Sequence, residues 1–339
     1  MAARAASRID APRAARDARR RRGARATRGS TSRARDAPTA RATTRSERAR
    51  VYIEHTDAYG VVFYANYLAF ASNAAEALGR AGGFDFARAF RCVKIEKCRY
   101  ARAATLGDAV AVRSEVMRAD ERSATLRQEI VSANDDDDDE TVYVDAEITY
   151  ARAETKDGAA VGKLAATDDG ADARDGAGDG TFAAPWEMED GRCASTAVRM
   201  YRGERSLGDA GCSHVDVLRF FERGRTDAIG GSDALSALRD AGVVVVVSRL
   251  EAHFPRGDGS LTSSPAKSSS SVIPVYDVKS TVELKRRGIQ VVFHQAMFAD
   301  DGACVGYGDI TCTCLDATTM RPMPCPPALV DAFAPFCIA

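Results

Sequence analysis

One order of apolar patterns occurs twice along this 339-residue chain, and that duplication limits the folds open to it more than any other feature. In the first half, Arg50–Glu54 reads as a short strand. Tyr64–Gly79 is apolar at helical spacing through Tyr67, Ala71, Ala74 and Leu78 before it stops at glycine. Strand-like runs follow over Cys92–Arg102, Ala109–Arg118, Ala124–Val131 and Thr141–Ala151, parted by turn residues. In the second half Ala197–Tyr201 is the strand and Val217–Gly230 the helix. Val243–Phe254, Val275–Leu284, Ile289–Phe298 and Cys304–Leu315 then repeat the run of strands. A strand, one long helix and consecutive antiparallel strands make an α+β unit, so two copies of it are expected, over 50–154 and 196–336. Both helices carry small residues (Ala65, Ala69, Ala71, Ala74 and Ala75; Gly224 and Ala228), which let a curved sheet close around them.

Charge separates a leader from this body. Sixteen arginines against four acidic residues give residues 1–50 a formal charge of +12, and the chain total of −1 leaves −13 for the remaining 289. Residues 1–49 are rich in Arg, Ala, Ser and Thr, with Ile9 the one large aliphatic after Met1. Such a stretch cannot bury enough apolar surface to offset its ordering entropy, and its composition is that of a transit peptide for a plastid or a mitochondrion. A basic nucleic-acid-binding tail centred on Arg19–Arg22 is the rival reading, weakened because no aromatic residue is interleaved for base stacking. The acidic body gives nucleic acid no phosphate-binding cluster, and apolar runs such as Val243–Val247 fall far short of a membrane span.

Two segments break the body. Residues 155–195 begin with a Gly-, Ala- and Asp-rich stretch without apolar period and read as a linker; Gly176, Gly178 and Gly180 follow no strand and so form no dinucleotide loop. Residues 257–274 are Ser-, Gly- and Pro-rich and are expected to form a mobile loop, while Asp135–Asp139 reads as a solvated hairpin tip. The nine cysteines contain no C-x-x-C pair, and His214 beside Cys212 has no second pair to complete a metal site. Reduced structural thiols and no metal or other cofactor are expected.

The start of the first unit is V-Y-I-E-H-T-D-A-Y-G-V-V-F-Y-A-N-Y-L-A-F, Val51–Phe70. An Asp, a Gly three residues on, a short apolar step and an Asn-Tyr pair opening the helix resemble the hotdog-fold thioesterases of the 4-hydroxybenzoyl-CoA thioesterase type, on Asp57, Gly60, Val61, Val62, Asn66 and Tyr67. The resemblance covers Arg50–Glu154 well and Thr196–Phe336 more weakly. It implies a tandem hotdog fold in which the two units pair into one continuous sheet, an intramolecular pseudo-dimer with its site in the cleft between them. It implies as substrate an acyl-CoA or acyl-carrier-protein thioester, allows a dimer of double hotdogs, and favours the plastid, where double-hotdog acyl-carrier-protein thioesterases occur.

The residue types suit that chemistry. Asp57 lies in a loop ahead of a helix start, placed to act as general base on water or as nucleophile through an acyl anhydride. The unpaired N–H groups around Phe63–Ala65 sit at the positive end of the helix dipole and can hold an oxyanion; the resemblance implies that the backbone N–H of Tyr64 is the donor. Gly60 lets the loop turn tightly, and Asn66 is suited to shaping that loop by hydrogen bonds. His55 reads as exposed or bonded within the loop. The second unit departs from the motif. With Phe220 laid on Phe70, Leu207 stands at the Asp57 position and Ala210 at Gly60. Asp209 lies two residues before Gly211 rather than three, and with His214 and Glu222 it is a weak candidate for a second site. One intact and one decayed site are expected. Two other classes stay open: a non-catalytic acyl-thioester-binding protein, and a hotdog hydratase or dehydratase, for which no Asp-x-N-x-x-H arrangement is present.

Overall fold

The computed structural model describes residues 45–57, 59–83, 85–133, 140–152, 188, 192–200, 212–254 and 275–338. The first half consists of strand β1 (Arg45–Arg50), helix α1 (Tyr64–Ala81), the single turn α2 (Phe86–Ala89), and strands β2 (Phe90–Tyr100), β3 (Ala109–Ala119), β4 (Ser123–Ser132) and β5 (Val142–Arg152). The second half holds β6 (Ala194–Arg199), α3 (His214–Ala228), α4 (Gly231–Asp240), β7 (Val243–His253), β8 (Val275–Lys285), β9 (Gln290–Phe298), β10 (Cys304–Asp316) and α5 (Pro327–Phe333).

All ten strands belong to one antiparallel sheet in the order β1-β3-β4-β5-β2-β7-β10-β9-β8-β6. Each half is an α+β hotdog, and the order of one half is the mirror of the other about the β2–β7 seam. At that seam Lys94 pairs with His253 and Ile95 with Ala252. After a register shift Cys98 pairs with Leu250 and Arg99 with Arg249. The strands alternate buried and half-exposed residues, most regularly in β4, so one face of the sheet is apolar. α1 packs on β1, β3 and β4, α3 on β6, β8, β9 and β10, and the two helices touch each other. Small residues permit this closeness: a Cβ at Gly224 of α3 would stand 2.6 Å from the Val278 Cγ1 atom of β8.

The duplication extends to buried polar groups. In β4, Gln128 Nε2 donates to the Ala71 carbonyl of α1 at 2.8 Å and to Ser114 Oγ of β3 at 3.0 Å. In β9, Gln295 Nε2 donates to the Phe221 carbonyl of α3 at 3.0 Å and to Ser280 Oγ of β8 at 2.8 Å. The helices begin 150 residues apart, at Tyr64 and His214, and Ala71 and Phe221 keep that offset. Buried polar groups need such partners, and the same clamp therefore fixes helix to sheet in both halves.

Several elements differ from the sequence expectation. The first strand, expected over Arg50–Glu54, runs over Arg45–Arg50, so residues 45–49 belong to the sheet and not to the leader. A 3-10 turn at Ile53–His55 occupies the expected strand position. β1 is an edge strand paired only with β3, and arginines are tolerated at a sheet edge, which is why no apolar alternation marks it. β6 likewise starts at Ala194, inside the expected linker. α4 opens on two positive-φ glycines, Gly230 at its N-cap and Gly231 as its first residue, and buries just Leu238, too weak an apolar stripe to read. α5 is short and anchors through Leu329 and Phe333. Residues 1–44, most of the linker, the Asp135–Asp139 tip and the 257–274 loop lie outside the described residues.

Candidate active site

Asp57 stands in a tight hairpin that leads into α1. Thr56 and Val62 form its closing bridge, and the Asp57 N–H donates to the Val61 carbonyl at 2.8 Å. The Gly60 N–H donates to the Asp57 carbonyl at 3.0 Å with φ +75° at Gly60, a left-handed conformation that costs a glycine little. The Tyr59 N–H donates to Asp57 Oδ1 at 2.8 Å, which orients the carboxylate. The hairpin is pinned to the loop after β2: Val62 N–H donates to the Ala104 carbonyl at 2.8 Å, and Ala104 N–H donates to the Tyr67 hydroxyl at 2.7 Å. Tyr67 thereby ties the loop to the helix as well as packing in the core.

Burial raises the Asp57 pKa above its ordinary value, the amides of Tyr59 and Val61 oppose the rise, and repulsion from Glu222 adds to it. Glu222 comes from α3, so the second half contributes charge to the first half's site. Its carboxylate accepts a hydrogen bond from Arg225 Nη2, and Arg225 Nη1 donates to Gln295 Oε1 at 2.6 Å. Arg225 is 5% exposed and stacks over the Tyr64 ring at 5.2 Å. Burial works against its charge, but Glu222 beside it holds the guanidinium protonated, its pKa above the ordinary value. The Tyr64 hydroxyl donates to the Leu218 carbonyl of α3 at 2.6 Å, which fixes the first residue of α1 against the second half.

The start of α1 is open. Phe63 occupies the N-cap with no side-chain cap, and the first turn holds no acidic residue. The Asn66 N–H donates to the Phe63 carbonyl at 2.8 Å, whereas the N–H of Tyr64, the first residue of α1, has no intrahelical acceptor by position. Asn66, 6% exposed, bonds the loop: its Nδ2 donates to the His55 carbonyl at 3.0 Å, which also accepts from the Phe63 N–H at 2.9 Å. His55 Nδ1 accepts from the Tyr52 N–H at 3.0 Å, and the ring meets Phe70 edge-on at 4.9 Å.

The second-unit candidates fare differently. Asp209 lies outside the described residues. His214 opens α3 as Tyr64 opens α1, but it is half-buried, its Nε2 lies 3.2 Å from Ser72 Oγ, and desolvation pushes its pKa down to about 4. Ser72 Oγ donates to the Leu68 carbonyl at 2.9 Å, so its proton is not held by the imidazole. Glu222, considered for a second site, acts electrostatically on Asp57 of the first half. Arg225 and Arg219 were not singled out by the sequence. At the 150-residue offset they replace Ala75 and Ala69, and Arg225 follows Leu218 and Phe221 on the buried stripe of α3, where a lone cation signals a partner. Among the described residues no group of three or more His, Cys, Asp or Glu side chains could hold a metal, and no helix is long and apolar enough to cross a membrane.

Residues 59–138 match the sequence model of the Thioesterase superfamily. Among solved structures, a Lactobacillus plantarum protein assigned as an oleoyl thioesterase is similar at TM-score 0.56 and 12% identity, over 84% of this chain and 98% of its own. The 12:0-ACP thioesterase of Umbellularia californica is similar at TM-score 0.52 and 7% identity, over 83% and 98%. An acyl-ACP thioesterase from Bacteroides thetaiotaomicron is similar at 0.51 and 8%, over 79% and 97%. At those identities the structures establish the fold across both halves. No curated protein matches the sequence. The duplicated sheet and the likeness to these structures across both halves make the chain a tandem hotdog, and the Thioesterase superfamily match lies within its first unit.

Proposed function

We propose that this thioester hydrolase cleaves an acyl-CoA or acyl-carrier-protein thioester at the Asp57 site, releasing free acid and thiol. The observation that carries the reading is a desolvated carboxylate held in a hairpin directly ahead of an uncapped helix start. Water attacks the carbonyl carbon while Asp57 takes its proton, a role suited to a carboxylate whose pKa is raised. The oxyanion that forms meets the free N–H of Tyr64 at the positive end of α1. Collapse of the tetrahedral intermediate breaks the C–S bond, and the thiolate leaves and is protonated. Gly60 and Asn66 shape the loop, and burial, with a smaller contribution from Glu222, keeps the Asp57 proton affinity high.

A carrier-protein thioester, processing of a leader that ends before β1, and residence in a plastid belong to the same reading. They are supported by the composition of the leader and by the fold shared with the Umbellularia enzyme. The test is release of free thiol by the full chain from a panel of acyl-CoA and acyl-carrier-protein thioesters, repeated with Asp57→Asn. Release by both proteins at equal rates, or by neither, rejects the assignment. A single turnover in ¹⁸O-water tests the nucleophilic route: label in the Asp57 carboxylate marks an acyl anhydride that water opened at the Asp57 carboxyl carbon.

A further inference from the structure

A polar chain crosses from the second half to the first at the candidate site, with Arg219 donating both ways at its centre. Arg219 of α3 donates through Nη2 to Asn66 Oδ1 at 3.0 Å and through Nη1 to Asp216 Oδ1 at 3.3 Å. Asp216 is 5% exposed, and its Oδ2 accepts from the Ser213 N–H at 3.1 Å and the Ser213 hydroxyl at 2.6 Å. At the other end Asn66 grips the His55 carbonyl, which in turn holds the N–H of Phe63, the N-cap of α1. Asn66 and Asp216 are equivalent at the 150-residue offset, as are Ala69 and Arg219. α1 therefore presents a methyl group at the position from which α3 presents a guanidinium.

We propose that Arg219 is a positioning residue for the Asp57 site: anchored on Asp216, it fixes the Asn66 amide and through it the His55–Phe63 loop and the start of α1. This rests on the thioesterase reading above. Asn66 is buried, so without Arg219 its Oδ1 loses its partner and the amide can rotate, releasing the His55 carbonyl. Sub-ångström drift of an oxyanion donor or a base lowers the rate far more than it lowers binding. The second half would thus have exchanged its own catalytic loop for a strut supporting the other one.

The test compares Arg219→Ala, Arg219→Lys, Asn66→Ala and the double variant Asn66→Ala/Arg219→Ala in the full chain, with Asp57→Asn as control. The Arg219 side chain is 41% exposed, but its loss strips a partner from the buried Asn66 and Asp216, so Arg219→Ala should melt somewhat lower and rates are compared at a temperature where every variant is folded. Arg219→Ala is expected to lower kcat about tenfold with KM within about twofold, and Arg219→Lys to recover part of the loss. The double variant should be no slower than Asn66→Ala, because both act through one amide. Amide hydrogen exchange should accelerate over residues 53–63 in Arg219→Ala while the β4 and β5 amides keep their protection. Unchanged kcat and unchanged exchange in Arg219→Ala, or multiplicative losses in the double variant, overturn the proposal. If the wild-type chain releases no thiol, the functional reading falls, and the exchange measurement alone decides the strut.

Discussion

The two long helices occupy equivalent places in equivalent halves, yet their N-termini are finished in opposite ways. α3 has Ser213 at its N-cap and Asp216 in its first turn, and these two close a reciprocal capping box in which Asp216 N–H donates to Ser213 Oγ at 3.2 Å. A carboxylate thus already compensates the positive end of the α3 dipole. α1 has Phe63 and Asn66 at the same two positions, no side-chain cap and no acid in its first turn. An anion arriving at α1 meets an uncompensated dipole, whereas one arriving at α3 meets a resident charge. The half that forgoes the stabilisation of a cap is the one with the motif Asp. This is the pattern expected where local stability is traded for a binding function.

Six substitutions test how the two halves differ, in decreasing order of expected effect. Asp57→Asn should lower kcat by about 10²–10⁴ while Asp209→Asn changes it less than about threefold, read by steady-state thiol release. The reverse result assigns the chemistry to the wrong half. Melting at neutral pH should not fall in Asp57→Asn. A carboxylate with a raised folded pKa favours folding below its unfolded pKa, and that advantage is lost as pH rises through the folded value; Asn removes the penalty at pH 7. Asn66→Asp installs at α1 the carboxylate that α3 already carries. It should cost about tenfold in kcat by opposing the oxyanion, and wild-type turnover by this variant would mean that the helix start does not take part.

Gln295→Leu and Gln128→Leu separate the two clamps by stability. The first should cost about 3 kcal/mol in chemical denaturation, because it strips a partner from the buried Arg225, and the second about 1 kcal/mol. Equal losses would mean that Arg225 gains nothing from Gln295. Last, the acidic limb of kcat/KM should rise with pH through the raised pKa of Asp57, and Glu222→Gln should move it downward by removing the like charge. An unmoved limb would separate Glu222 from the site.

Much of the architecture was legible because its signals are local and repeated. The alternation of Leu126, Gln128 and Ile130, the small-residue face of α1 and the Asp57–Gly60 spacing each fix one element without reference to the rest. What escaped notice lacks such a signal. β1 is an arginine-bearing edge with no apolar side to alternate, and α4 buries one leucine. The interhalf contacts of Arg219 and Arg225 depend on two helices, distant in sequence, lying side by side. Gln128 and Gln295 were readable in principle: a glutamine on the apolar parity of a strand, found at the same place in both repeats, announces a buried partner.

The seam between β2 and β7 places Arg99 directly opposite Arg249, both exposed, beside a register shift. Facing like charges weaken a strand pair, and two free subunits would have to overcome that repulsion at every encounter. When the partners share a chain, each meets the other at a concentration set by the tether and not by the surroundings, so a seam too weak to assemble separate subunits still closes. Covalent union thereby relaxes selection on the join.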